Sequence, residues 1–389
     1  MSEAEERPFI VFGAPDLREP EIEEVVATLR SGWIGSGPKV QRFEEAFARY
    51  KRVEQDQVAA INSCTAALHV SMIAAGLGPG DEVVTTAMTF CATVNAIIHA
   101  GATPVLADID PATLNIDPKS LGERITPRTR AIVPVHFAGR PCDMDAVMAI
   151  AARHDLIVIE DCAHAIETEW KGRPVGTFGA FGCFSFYVTK NVVTGEGGMV
   201  IANPAESIER IKVLALHGMS VDAWRRFSDK GYRHYQVIDA GFKYNMTDLQ
   251  AAIGIHQLER VEENWRRRHE AWRFYQQAFA DLPIGRPPEP TADMRHGHHL
   301  YTIRIDERQC GIDRDAFADR MADARIGVGV HYVSLAAHPF YQQRFGWRAG
   351  DWPEAEKFGA QTVSLPLSSK LRPADLDRIA ATVRAIVAR

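Results

Sequence analysis

The sequence predicts an α/β protein: a mainly parallel sheet covered on both faces by helices, followed by a smaller α+β unit. Three observations carry this. Between about residues 55 and 205, short apolar runs alternate with stretches of helical apolar spacing. A proline-rich break, "DLPIGRPPEP" at 281–290, follows a long helical stretch. Beyond it the pattern reads strand, helix, strand, helix. The chain has 389 residues, 46% hydrophobic and 24% charged, which is ordinary globular composition and too long for one small core.

Taken in order, "VAAINS" (58–63) is a short strand and "TAALHVSMIAAGL" (65–77) a helix that stops at "GPGD". "EVVTTA" (82–87) is a strand, "CATVNAIIHAG" (91–101) a helix and "TPVLADID" (103–110) a strand. "RTRAIVPVHFAG" (128–139) is the next strand, "MDAVMAIAARHD" (144–155) a helix, and "LIVIEDCAHA" (156–165) a strand ending in acids. Near-continuous apolar strands between amphipathic helices mark a parallel sheet buried on both faces. Residues 249–279 read as one long helix or two joined ones. "HLYTIRI" (299–305), "RDAFADRMADARI" (314–326), "VGVHYV" (328–333) and "ADLDRIAATVRAIVA" (374–388) supply the final strands and helices. The expected division is a large domain over 1–255 and a small one over 256–389.

The formal net charge of −6 weighs against a nucleic-acid or membrane-surface partner, since both favour a basic face. Six cysteines, at 64, 91, 142, 162, 183 and 310, form no CxxC pair and match no zinc spacing. Free thiols in apolar surroundings suit a reducing compartment. The acidic start "MSEAEERPFIVFG" is no signal peptide, and no apolar run is long enough to span a bilayer. A cytoplasmic protein without a metal site is expected.

The chemistry concentrates at strand ends, where such sheets place it. "LIVIEDCAHA" delivers Glu160 and Asp161 from a buried strand, with His164 three residues later. An acid there can cap a helix, or it can face a cationic ring nitrogen. Lys190 closes "CFSFYVTK", 29 residues beyond Asp161. An acid and a lysine from neighbouring strand ends suit pyridoxal phosphate: the lysine forms an imine with the aldehyde, and the acid keeps the pyridine nitrogen protonated. "INSCTAALH" sets Asn62, Ser63, Cys64 and Thr65 at a helix start, which is an N-cap or a phosphate cradle. Phe90, after another strand, is a core residue or a ring that stacks on a flat cofactor.

Together "EDCAHA", "CFSFYVTKN", "TGEGGMV" and "GFKYNMTDLQAAIGIHQL" resemble the DegT/DnrJ/EryC1/StrS family of sugar aminotransferases. The likeness extends from "GWIGSGPKVQRFEEAFA" to "GVHYVSLAAHPFY". It implies a fold type I enzyme with a seven-stranded sheet that uses pyridoxal phosphate and passes through a pyridoxamine form. Lys190 is then the internal-aldimine lysine, with its amine pKa lowered by an apolar bracket. Asp161 is the pyridinium partner. Cys64, Thr65 and Ser185 hold the phosphate, Phe90 stacks on the ring, and His164 lies near the cofactor. The segment "GFKYN" reaches a partner's phosphate across a homodimer interface, through Lys243 or Asn245. Trp33, Ile34, His331 and Tyr332 border the sugar.

The implied reaction moves an amino group from an amino acid, L-glutamate, to a keto group of a UDP- or dTDP-linked sugar. Family dehydratases carry histidine at the lysine position, so Lys190 argues against sugar dehydration; a non-catalytic cofactor-binding regulator is a further alternative. Other motifs read as structure. "ADID" (107–110) is an Asp-capped turn, "TGEGG" (194–198) a turn that lets two backbones approach, and "ENWRRRHEAWR" (263–273) a solvated helix face.

Overall fold

The computed structural model describes residues 8–220, 235–348 and 350–387. Residues 1–7, part of the stretch read as lacking a signal peptide, lie outside the described residues. A seven-stranded sheet forms the centre. Its strands are β1 Val58–Ile61, β2 Glu82–Thr86, β3 Thr103–Ala107, β4 Thr129–Val133, β5 Ile157–Asp161, β6 Phe181–Ser185 and β7 Gly198–Ala202. Their spatial order is β1-β7-β6-β5-β4-β2-β3. Only β7 runs against the others, pairing antiparallel with both β1 and β6. The helices that cover the sheet include α1 Glu19–Ser31, α2 Pro38–Lys51, α3 Cys64–Ala74, α4 Cys91–His99, α5 Met144–His154 and α6 Glu206–Ala215.

Both faces are apolar, as the unbroken apolar strands require. Leu68, Val70, Ile159, Cys183 and Val200 fill one side. Phe43, Phe47, Phe184, Phe186 and Ile201 fill the other, where the phenylalanine rings meet edge to face. Side chains alternate along β6, so Cys183 and Phe184 serve opposite cores.

The long helical stretch is two helices, α7 Asp248–Glu259 and α8 Val261–Ala278, which meet at a non-helical Arg260. A second core gathers Trp272, Tyr275, Tyr301, Phe317, Val363 and Ile379, and Ile10 from the N-terminal segment joins it. Its strands are β8 Tyr301–Arg304 and β9 Thr362–Leu365, paired antiparallel. The helices α9 Arg314–Asp323 and α11 Pro373–Val387 complete this core, while α10 Pro353–Gln361 packs its Ala355 and Phe358 with Ala87, Met88 and Leu106 of the large unit.

"VGVHYV" is not a strand, contrary to the pattern. It makes a single bridge, Gly329 with Ser364. Gly329 lies so close to the ring of His331 that a Cβ would sit 2.6 Å from its Cε1, and the chain then turns toward the large sheet. The partner of β8 is β9, which starts directly after α10 with no turn residue to announce it. The "ADID" turn does more than cap itself. Asp108 accepts hydrogen bonds from the backbone N–H groups of Glu354 (3.0 Å) and Ala355 (2.9 Å), fastening the start of α10 to the large sheet. Among the described residues, no helix is long and apolar enough to cross a membrane.

Candidate active site

The carboxyl edge of the sheet opens onto a cavity of about 500 Å³. A shallow groove of about 680 Å³ along Arg320, Arg378 and Thr382 shares no lining residue with it and has no comparable convergence of strand ends.

Asp161 is the last residue of β5 and is 4% exposed. Its Oδ2 accepts from Thr93 Oγ1 at 2.8 Å and its Oδ1 from the Ala163 N–H at 3.0 Å. Each oxygen keeps a lone pair for a partner in the cavity. Burial raises its pKa, against these two bonds and the nearby Lys190. A cation in the cavity would therefore be bound favourably.

Glu160, one residue earlier, points the other way. Its carboxylate accepts from His136 Nε2 (3.1 Å) and from the N–H groups of Gly176 (2.7 Å), Phe178 (2.7 Å) and Gly179 (2.9 Å). Those four donors saturate it. The strand's alternation thus separates the acidic pair: Glu160 holds the turn at 176–179 rather than capping a helix, and Asp161 faces the cavity. Ligand atoms of His136, Glu160 and Cys162 lie within 4.8 Å of one another, as a metal site would require. The saturation of Glu160 and the Cys142 N–H given to His136 Nδ1 (3.1 Å) commit that cluster to the fold.

Lys190 lies in a turn five residues beyond β6, not at the strand end itself. The turn is held by the Lys190 N–H given to the Tyr187 carbonyl at 2.8 Å. Its side chain reaches the cavity. Desolvation lowers its amine pKa to about 8, moderated by Cys64 and Asp161. β5 and β6 are adjacent and parallel, which brings the acid and the lysine to one edge.

The start of α3 forms another wall. Ser63 is the N-cap and accepts from the Ala66 N–H at 3.1 Å. The N–H groups of Cys64 and Thr65 have no intrahelical partner and lie at the positive end of the helix dipole. A Cβ on Gly198 would stand 2.6 Å from the Ser63 carbonyl carbon and 2.8 Å from Cys64 N. Only glycine lets β7 approach this helix start, so "TGEGG" is the close-approach turn its composition suggests. Ser185 ends β6 on the same wall.

His164, Tyr332, Phe90 and His331 close the cavity. His164 Nδ1 accepts from the Ala138 N–H at 3.3 Å, so a neutral ring carries its proton on Nε2 and donates to Tyr332 Oη at 3.0 Å. Burial, with Lys190 nearby, keeps the His164 pKa well below the ordinary histidine value. Tyr332 is pushed up by burial and the Asp161 charge, so its hydroxyl stays protonated. Phe90 is 57% exposed and tilts against Tyr332. Burial lowers the His331 pKa to about 4; its ring stacks on Phe12, and its Nδ1 lies 2.9 Å from Ser364 Oγ.

The structure therefore gathers Lys190, Asp161, His164, Cys64, Thr65, Phe90, Ser185, His331 and Tyr332 at one cavity. Trp33, Ile34, Lys243 and Asn245 do not line it. Trp33 and Ile34 are 49% and 50% exposed, while Asn245 donates to Ser36 Oγ at 2.7 Å. Thr93 escaped the sequence reading. Its only sequence signal was a threonine in the first turn of the helix that follows β2.

The residues present fit pyridoxal phosphate. They provide an amine held near neutrality, a carboxylate with unused lone pairs, two free backbone N–H groups and an aromatic face. A sequence model of the DegT/DnrJ/EryC1/StrS aminotransferase family matches residues 15–384. The chain belongs to that family. It is 47% identical over 380 residues to the spore coat polysaccharide biosynthesis protein SpsC of Bacillus subtilis, covering 97% of each chain. Among solved structures, the aminotransferase TlmJ of Streptoalloteichus hindustanus superposes with a TM-score of 0.89 at 34% identity, covering 97% of this chain and 99% of that one. Spr1654 of Streptococcus pneumoniae, assigned as a sugar aminotransferase, has a PLP-form structure that superposes with a TM-score of 0.90 at 33% identity, covering 98% and 99%.

Proposed function

We propose that this family member is a pyridoxal phosphate-dependent aminotransferase that transfers the amino group of L-glutamate to a keto sugar carried on UDP or dTDP. The observation that carries the reading is the convergence of Lys190 and Asp161, from adjacent strands, on one cavity. Bound pyridoxal phosphate supplies an electron-withdrawing ring that takes up the electron pair of a breaking C–H bond. Asp161 holds the proton on the ring nitrogen. The N–H groups of Cys64 and Thr65, with the Ser185 hydroxyl, grip the phosphate. Phe90 offers its ring to the cofactor's, and His164 orients beside it. The Lys190 amine, its pKa lowered to about 8, would carry the proton between the donor or sugar carbon and the cofactor. His331 and Tyr332 meet the sugar from this cavity, and Trp33 and Ile34, which lie outside it, would meet the sugar only from a second copy.

We infer a homodimer as the working form in the cytoplasm, with a domain division near residue 255. Among the described residues lining the cavity, Lys190 is the one cationic side chain. A phosphate and a nucleotide diphosphate call for more positive charge and donors; Lys243 of a partner would bring a cation and Asn245 of a partner an N–H donor. Trp33, Ile34, Val237 and Ile238 are 49–66% exposed, which suits burial against a second copy. Mixed dimers test this. Lys190→Ala and Lys243→Ala chains, each inactive alone, should regain activity when co-assembled; no recovery would assign Lys243 to its own chain or to neither role. Purified protein should show a visible band that L-glutamate bleaches, and keto nucleotide sugars should restore the band, as should 2-oxoglutarate by reversal of the first half-reaction.

A further inference from the structure

Asn191, the residue after Lys190, is held on three sides. Its Nδ2 donates to Glu167 Oε2 at 2.8 Å and to the Gly297 carbonyl at 3.0 Å. Its Oδ1 faces His299 Nδ1 at 3.0 Å. Both N–H bonds of the amide are spent on acceptors, so Oδ1 must accept and His299 Nδ1 must carry a proton. Turning the amide over would set its oxygen against a carboxylate and a carbonyl. The Glu167 charge therefore fixes the amide, and the amide fixes the histidine tautomer. Glu167 is itself paired with Arg268, and their side chains are 0% and 3% exposed.

The chain of contacts continues into the cavity. The His299 ring lies against that of His164, with centroids 4.3 Å apart and planes at 34°. Ala138 clamps both: its N–H goes to His164 Nδ1, and its carbonyl accepts from the His299 N–H at 3.0 Å. His164 in turn donates to Tyr332. That leaves the Tyr332 proton free to be given into the cavity. A buried ion pair such as Glu167–Arg268 adds little net stability once desolvation is counted. Its hold on Asn191, the residue after Lys190, gives it another use.

We propose that Asn191 and His299, anchored by the Glu167–Arg268 pair, are positioning residues: they fix the backbone beside Lys190 and the ring plane of His164, and so aim the Tyr332 hydroxyl into the cavity as a proton donor. This rests on the reading of Lys190 as the cofactor-bearing lysine. Arg268 belongs to α8 and His299 precedes β8, so the relay also couples the second unit to the turn that carries the lysine.

Three variants test it. Asn191→Asp replaces two N–H donors with oxygens facing Glu167. His299→Phe keeps the stack on His164 but cannot donate to Asn191, whereas His299→Gln can. The expected result for Asn191→Asp and His299→Phe is a kcat lower by about 10- to 100-fold with the KM for L-glutamate changed only a few-fold, as a small misplacement of reacting groups produces. The pH midpoint of the visible band should shift in both, and so should the midpoint for amine-directed labelling of Lys190 in cofactor-free protein. His299→Gln should recover part of the loss. Should Asn191→Asp not fold, the two His299 variants decide the matter. Wild-type midpoints and kcat in His299→Phe would overturn the relay. A Lys190→Ala protein with the wild-type band would instead overturn the functional reading on which it rests.

Discussion

Lys51 and Lys190 are two lysines whose amines are both lowered to about 8, mainly by burial. On that number alone they are equal candidates for chemistry. Their surroundings separate them. Lys51 is 1% exposed, gives its ammonium to the Ile166 carbonyl at 3.1 Å, and lies 4.7 Å from the centre of the Phe184 ring. It faces the same side as the saturated Glu160. Lys190 opens onto a cavity beside Asp161, whose oxygens are only half used. One region spends its polar groups on the fold, and the other keeps them in reserve. A perturbed pKa marks a functional site only when the group also has somewhere to act.

That contrast can be broken by substitution. Lys190→Ala should lower turnover at least about 10³-fold, the order expected for losing a positioned proton carrier. Lys51→Met should leave turnover within a few-fold. The carboxylates should divide the same way. Asp161→Asn should cost turnover while the protein stays folded, read as kcat against melting temperature. Glu160→Gln should do the reverse, destabilising by about 3 kcal/mol because an amide nitrogen must meet donors meant for a charged oxygen.

A pH experiment sharpens the comparison further. Both lysines bind protons less tightly in the folded chain than in the unfolded chain. Between about 8 and the ordinary value of 10.5 the unfolded state therefore holds more protons, so stability rises with pH across that window. Below about 8 both are protonated in either state, and the full cost of burying the charges is present. Denaturation at pH 7.5 and 10 should show this gain, and Lys51→Met should shrink it; an unchanged gain would remove Lys51 from the account. Gly198→Ala tests the cradle itself. Its Cβ would stand 2.6 Å from the Ser63 carbonyl carbon, so the α3 start must shift, and cofactor retention should weaken at least about 10-fold, the equivalent of about 1.4 kcal/mol.

Much of this was legible in the sequence. The unbroken apolar strands gave away the double-sided sheet, and "LIVIED" gave its acidic strand end. Alternation along β5 could even have told Glu160 from Asp161. Other features depend on contacts between distant segments. Thr93, Asn191 and His299 look like ordinary polar residues until tertiary packing sets them around Asp161, Lys190 and His164. "VGVHYV" has a strand's composition, yet beyond the Gly329 bridge to Ser364 it pairs with no strand and forms the loop that carries His331 and Tyr332. β9 follows a helix without punctuation, so its pairing with β8 was not announced by local sequence.

The most direct test is a spectral titration with L-glutamate on three purified proteins loaded with pyridoxal phosphate: wild type, Lys51→Met and Lys190→Ala. The account predicts that the visible band of the first two bleaches as donor is added, and that the Lys190→Ala protein shows no such turnover of its band. Bleaching of Lys190→Ala at the wild-type rate, or loss of bleaching in Lys51→Met with its fold intact, would contradict it.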